Sequence, residues 1–305
     1  MTHSTHRRLG LRLAAGLLIA GASCTYAADP QQAVSLRFDA VVGGEAFACG
    51  KSYDGIGTTR SHITPTDLRF YVSDVALVDS QGRVVPVTLQ QDQRWQYRNV
   101  ALLDFEDGTG PCGNGTPGTH REIVGTVAPG HYTGLRFTMG LPFELNHVDP
   151  TIAPPPLNLT AMFWVWQSGF RFFKLDMSTS GQPLPAGSAH DAAMTKDMNR
   201  PAGFPVHLGS TECASASATT PPPAACAYPN LVQVSFDSFD VTRNRVVIDI
   251  AKLLADANVD VNAPKTAPGC MSAIGDVDCT AILRAFGLPD GSGTPAASQR
   301  VFDAK

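Results

Sequence analysis

Period-two alternation is the feature that most limits what this chain can become. In LRFYVSDVALVD (68–79) apolar and polar residues alternate, as they do in SLRFDAVV (35–42), VPVTLQ (85–90), LRFTMGL (135–141), LVQVSFDSF (231–239) and RVVIDI (245–250). Alternation of this kind puts one set of side chains on each face of an extended strand. Helical spacing is scarce: IAKLLADA (250–257) and TAILRAF (280–286) are the best short candidates. With 28 Gly and 23 Pro to punctuate the strands, and VTRN (241–244) as a turn between two of them, the chain reads as all-β. The expected fold is an antiparallel β-sandwich-like domain with a few short helices and disulfide-pinned loops. No internal repeat interrupts this pattern.

The N-terminus carries a different message. MTHSTHRRLGLR is basic, LAAGLLIAGA is apolar, and SCTYAAD supplies small residues for cleavage near Ala27 or Ala28. That is a secretory signal, and its apolar run is too short to span a bilayer. The expected organisation is a signal peptide over 1–27 and one β-rich domain over 28–305. The short helices and last cysteine pair fall within 250–287, and a tail follows over 288–305. Signal removal takes Arg7, Arg8 and Arg12, leaving 20 Lys+Arg against 27 Asp+Glu, so the formal charge moves from −4 to −7. A mildly acidic surface argues against nucleic acid as a partner. No later segment has the length and apolarity of a membrane span. Export makes disulfides the default reading of the remaining cysteines. These are Cys49, Cys112, Cys213, Cys226, Cys270 and Cys279. They admit many connectivities, of which the nearest-neighbour set 49–112, 213–226 and 270–279 is the expectation.

Most familiar chemistry is missing. There is no C-x-x-C-H for a resident c-type haem, no H-E-x-x-H zinc helix and no G-x-S-x-G elbow. GGEAFACGKS (43–52) has the wrong glycine spacing for a phosphate loop, and DANVDVN (256–262) lacks the glycine and terminal acid of a calcium loop. Asp104, Glu106 and Asp107 read as strand-end and turn residues, without a partner motif for hydrolysis. A secreted hydrolase using Asp104 and Glu106 is a further reading of the chain, and no complementary motif supports it. The low-complexity stretch ASASATTPPPAA (214–225), between Cys213 and Cys226, reads as a pinned loop without a chemical role.

Metal-ligating types remain. His147 follows a strand and a Pro turn in GLPFELNHVD, and His207 lies in FPVHLGSTEC, six residues before Cys213. Met271 adjoins Cys270 on a pinned loop. Imidazole suits copper and zinc, and thioether sulfur selects copper(I). His190, Met194 and Met198 share an i, i+4, i+8 row that would align on a helix. Each is equally readable as a structural residue. AMFWVWQSGFRFF (161–173) holds Trp164 and Trp166 one residue apart; as a strand it would set both indoles on one face. Core packing, a sugar-stacking platform on a carbohydrate-binding sandwich, and oxidative modification are the three readings of that pair.

DLRFYVSDVALVD, WQYRNVALLDFEDGTGPC, GLRFTMGLPFELNH, PPLN, MFWVWQSGFRFFKLDM, HLGSTEC and the final GCM–C occur in one order over 33–287. As a set they resemble the MbnP family, the exported copper-binding proteins also described as the four-Cys partner of a "metallo-mystery pair". The resemblance implies a periplasmic copper(I) binder in copper homeostasis. Its implied partner is a diheme enzyme of the MauG/cytochrome c peroxidase type, which oxidises the first tryptophan of W-x-W to kynurenine. Here that residue is Trp164, with Trp166 its companion. His147 and His207 lie inside matching phrases and are carried over as copper ligands, with Met271 beside them. The six mature cysteines depart from the family's four.

Overall fold

The computed structural model describes residues 1–3, 30–113, 115–181 and 203–305. Nearly all of the expected signal peptide lies outside them, as does the His190, Met194, Met198 row. In chain order the described strands are β1 (Gln32–Val42), β2 (Glu45–Ala46), β3 (Tyr53–Ile56), β4 (Ser61–Asp79), β5 (Val84–Pro86), β6 (Thr88–Leu89), β7 (Gln96–Tyr97) and β8 (Val100–Asp104). They continue with β9 (Glu122–Val127), β10 (Tyr132–Met139), β11 (Phe163–Val165), β12 (Gly169–Ser178), β13 (Val206–Gly209), β14 (Val232–Phe236), β15 (Val246–Asp249) and β16 (Phe302–Ala304). Three short helices accompany them: α1 (Phe143–Asn146), α2 (Ile250–Leu254) and α3 (Val277–Ala285). Residues Gln31–Lys305 form one compact unit.

The strands make two sheets. One runs β16-β15-β1-β9-β6, with β2 also on β1. The other runs β11-β12-β4-β10-β14, with β13 on β12, β3, β5 and β8 on β4, and β7 on β8. The β1–β15 pair is parallel, while the long β4 pairs antiparallel with all its neighbours. Phenylalanines join the two layers. Phe38 of β1 packs on Phe70 at 6.5 Å and Phe137 at 5.7 Å, and Phe302 of β16 packs on the same two rings at 5.7 and 5.6 Å. Each such ring, removed from water, contributes about 1.5–3 kcal/mol. The sequence alternation around residues 68–72 fades because β4 is covered on both faces there. A second apolar cluster, with Tyr71, Leu102, Met162, Phe170 and Phe172, packs on its outer side. This outer cluster is the floor beneath the tryptophan hairpin.

Three expected elements differ. VPVTLQ is divided between β5 and β6, which belong to different sheets. The segment over 288–305 returns at its end as β16, paired with β15, so it is partly structural rather than a free tail. AMFWVWQSGFRFF is not one strand but a hairpin. The three disulfides join Cys49 to Cys112, Cys213 to Cys226 and Cys270 to Cys279, each the nearest neighbour in sequence.

Candidate metal centre

The hairpin sets the geometry. β11 ends at Val165, the Ser168 N–H donates to the Val165 carbonyl, and β12 begins at Gly169. Gly169 takes φ +79°, and a Cβ there would come within 2.2 Å of the Asn146 carbonyl oxygen, so the turn needs glycine. Trp166 therefore sits in the turn, not on the strand. Its ring meets Phe163 edge-on at 5.9 Å. The Trp164 ring goes elsewhere: it lies 6.5 Å from the His207 ring, with the Arg171 guanidinium 5.6 Å from its centre. It also rests on Gly209, where a Cβ would come within 2.6 Å of a ring carbon. The side-by-side face expected for the two indoles is not formed, because the strand stops one residue short of Trp166. The sugar-stacking reading loses its platform for the same reason.

His147 closes α1 and is half-buried. Its Nδ1 lies 3.1 Å from the Trp166 carbonyl oxygen, which can only accept, so Nδ1 carries the proton. Nε2 then holds a lone pair, 3.2 Å from the Asn146 amide nitrogen and 4.0 Å from Cys226 Sγ. Burial pushes the His147 pKa down, which keeps the ring neutral at pH 7. A neutral imidazole with its second nitrogen tied to a carbonyl is a competent metal ligand. Asn146 also ties the hairpin to β13: its side chain reaches the Ser168 carbonyl at 3.1 Å and Ser210 Oγ at 3.3 Å, and accepts from the Phe170 N–H at 2.8 Å.

His207, on β13, is buried inside a line of charges. Nδ1 accepts from Arg171 Nε at 3.2 Å, and Nε2 donates to Asp176 at 2.7 Å. A second proton on the ring would face the guanidinium. Burial first, and the Arg171 cation with it, lower the His207 pKa against the pull of Asp176. Burial alone would raise Asp176, but His207 and Lys174 override it and hold the carboxylate well below its usual range. Burial pulls Arg171 down to about 10, so it remains a cation at neutral pH. The line continues from Asp176 to Lys174 (2.8 Å), from Lys174 to Asp67, and from Asp67 to Arg69, whose Nε lies 3.6 Å from Glu106.

Asp104 and Glu106 complete it, and both are buried rather than at an open turn. Burial raises the Glu106 pKa. Arg69, with the N–H groups of Gly108 and Thr116 that the Glu106 oxygens accept at 2.7 Å, works against that raise and favours the charged form. Asp104 Oδ2 has no partner, and burial with the Glu106 charge pushes Asp104 up to about 8. With Asp104 and His207 neutral, the cations Arg69, Arg171 and Lys174 balance Asp67, Asp176 and Glu106. Gly115 makes room for this packing: a Cβ there would fall 1.3 Å from a Glu106 oxygen.

Residues 270–272 run alongside β13. The His207 N–H donates to the Cys270 carbonyl at 2.9 Å, and Ser272 Oγ donates to the His207 carbonyl at 2.8 Å. This places half-buried Met271 beside the His207 strand. The 214–225 loop is not idle. Gln167, in the hairpin turn, donates from its backbone to Ala218 at 3.2 Å and from its side chain to the Cys213 carbonyl at 3.0 Å. His147, Cys213 and Cys226 bring their ligand atoms within 4.8 Å of one another. The two sulfurs are bonded to each other, so the thiolates such a group would use are absent in this oxidation state. As donors for copper, His147 offers Nε2 once the Asn146 amide, 3.2 Å away, turns aside. His207 offers Nδ1 only when Arg171 moves aside.

Sequence reasoning missed Arg171, Lys174, Asp176, Asn146 and Gln167. The signal for the first three was present: charged residues inside the otherwise apolar run FRFFKLDM. His120 lies apart from this group, stacked on Trp95 at 5.2 Å with Nδ1 on the Leu102 carbonyl.

A two-sheet β fold with three disulfides, carrying a W-x-W hairpin tied to two neutral imidazoles, defines the class. The MbnP family model matches residues 31–272, a span that holds the hairpin, both histidines and Met271. Among solved structures, MbnP from Methylosinus trichosporium matches with 33% identity and a TM-score of 0.76. The alignment covers 90% of this chain and 98% of that one. A comparison with curated proteins finds no match. The chain belongs to the MbnP family.

Proposed function

We propose that this protein is an exported, non-enzymatic copper(I) binder of the periplasm, serving copper homeostasis. His147, His207 and Met271 are the candidate ligands. Trp164 is the residue oxidised to kynurenine by a diheme partner of the MauG/cytochrome c peroxidase type. One observation carries the reading: the W-x-W hairpin engages both histidines, Trp166 through its carbonyl on His147 and Trp164 through its ring against His207. Bound copper would take soft or borderline donors, and neutral imidazole and thioether are such donors. The protein's own contribution is positioning. The Trp166 carbonyl fixes the His147 tautomer, and Asp176 fixes that of His207. Arg171 occupies the free nitrogen of His207 and lies against the Trp164 ring. Converting that indole to an open-ring ketone and aromatic amine changes the surface holding the guanidinium.

The test is to produce the protein with and without its diheme partner and to measure mass and copper stoichiometry together. Conversion of Trp164 exchanges one carbon for one oxygen, and the peptide carrying it should show that mass. An unchanged Trp164 in protein made beside the partner would sink the modification. Stoichiometric copper retained in both His147→Ala and His207→Ala would remove the ligand assignment.

A further inference from the structure

We propose that Cys213, Cys226 and His147 form a redox-gated site for a soft d10 cation, copper(I). The site is closed while the two sulfurs are bonded and open when a dithiol reduces them. It shares His147 with the function proposed above and depends on no other part of that reading. The three ligand atoms already lie within 4.8 Å of one another. His147 Nε2, whose lone pair accepts the Asn146 amide N–H at 3.2 Å, faces Cys226 Sγ at 4.0 Å, so metal binding there displaces one side-chain hydrogen bond. Two thiolates and one neutral imidazole make a soft donor set of the kind that selects copper(I).

The backbone keeps the cysteines opposed without the S–S bond. Thr211 and Tyr228 pair as an antiparallel bridge, with N–H to O distances of 2.9 and 3.2 Å in the two directions. Cys213 and Cys226 stand two residues beyond that bridge on each arm, in register with one another. The Ala227 N–H donates to the Glu212 carbonyl, and Gln167 holds the Cys213 carbonyl from the hairpin side. Reduction therefore releases the sulfurs while their Cα atoms stay tethered. The bond is more open to a reductant than 270–279: Cys213 and Cys226 are 5% and 7% exposed, against 1% and 0% for Cys270 and Cys279. In the 49–112 bridge Cys49 is half-buried and Cys112 fully buried, so a double serine variant is what assigns a gain to 213–226.

The chemistry balances simply. The dithiol is oxidised to its disulfide and delivers two electrons and two protons to the S–S bond, leaving two thiols. Binding of copper(I) then releases the two thiol protons to solvent. Reoxidation reverses the sequence and expels the ion.

The experiment titrates full-length protein with copper(I) against a cuprous chelator, under argon, before and after reduction by a phosphine that is then removed. Because His147 serves both ligand sets, the expected result is a gain in copper(I) retained against the chelator after reduction rather than a second ion, with thiolate-to-metal absorption that the oxidised protein lacks. Cys213 and Cys226 should be protected from alkylation, as mapped by mass spectrometry. The variant Cys213→Ser/Cys226→Ser should lose that increment. His147→Gln should weaken it by about 10–100-fold, at least the effect of disturbing an outer-shell partner. No gain on reduction, a gain that survives in the double serine variant, or loss of β-sheet circular dichroism on reduction would each overturn the proposal. The oxidised protein separates the two readings: its failure to bind copper would count against the proposed function and leave this increment unaffected.

Discussion

Arg171 is the residue on which the centre turns. Its guanidinium lies against the Trp164 ring, donates to the Ala161 and Phe163 carbonyls at 3.0 and 2.7 Å, and caps His207 Nδ1. A cation there disfavours imidazolium. Arg171→Met removes it while keeping an apolar stem under the indole. The His207 titration midpoint, followed by nitrogen-15 NMR of the metal-free protein, should rise. An unchanged or lower midpoint would show that Arg171 does not control the ring. Under the proposed function, the same variant leaves Nδ1 uncapped and should take up copper more readily with Trp164 unmodified. Gly209 tests the other side of the indole. Gly209→Ala forces a Cβ to 2.6 Å from a Trp164 ring carbon. The expected cost is about 1–3 kcal/mol from overpacking, read by urea denaturation, with a shift in tryptophan fluorescence.

The loop and hairpin act as one element. The 213–226 bridge closes a short loop that Gln167 fastens to the tryptophan turn. Opening it in Cys213→Ser/Cys226→Ser should cost about 3 kcal/mol on the chain-entropy model, less whatever the 211–228 bridge retains. Denaturant midpoints of the variant and parent measure this. The alternation of β1 and β14 was legible because each buries one regular face, whereas β4 is covered on both faces over 68–72 and β15 is buried at every residue. The nearest-neighbour cysteine pairs were legible too. The hairpin was missed although WVWQSGF carries a Ser-Gly turn pair, because the aromatic residues on both sides of it read as one strand. What breaks it is a positive φ at Gly169 under Asn146, a contact across 23 residues of sequence. Of the site, the histidines and tryptophans could be singled out from sequence. The charges that orient them could not be assigned roles. Arg171, Lys174 and Asp176 meet His207, Asp67 and one another only after β12 is laid between β4 and β13. The 214–225 loop was read as inert from composition, which does not encode that a neighbouring turn would bond to its backbone.

At the scale of the molecule, opposing proton linkages shape stability. Burial lowers the pKa of His120, His147 and His207. In the unfolded chain such histidines titrate near about 6.5. As pH falls below that value the unfolded state takes up protons that the folded rings refuse, so acid destabilises the fold. Asp104 works in the other direction. Its folded pKa is pushed up to about 8, by burial first and by Glu106 second, while an unfolded aspartate titrates near about 3.9. Across that interval the folded state holds a proton that the unfolded state has lost, so stability falls as pH rises. Below about 6.5 the three lowered histidines oppose the raised carboxyls, and above it the carboxyls raised by burial, Asp104 first with Glu106 and Asp276 beside it, set the slope. The expected profile climbs from acid, peaks near about 6.5 and declines to about 8. Asp104→Asn supplies a neutral side chain of the same shape and cannot ionise. Its stability should match the parent only at and below about pH 3.9, pull ahead progressively above that, and stay level between about 6.5 and 8 where the parent declines. Urea denaturation at a series of pH values gives both curves. A variant that still declines between about 6.5 and 8 would place the alkaline linkage on another group, with Glu106, which burial also raises, the next to replace.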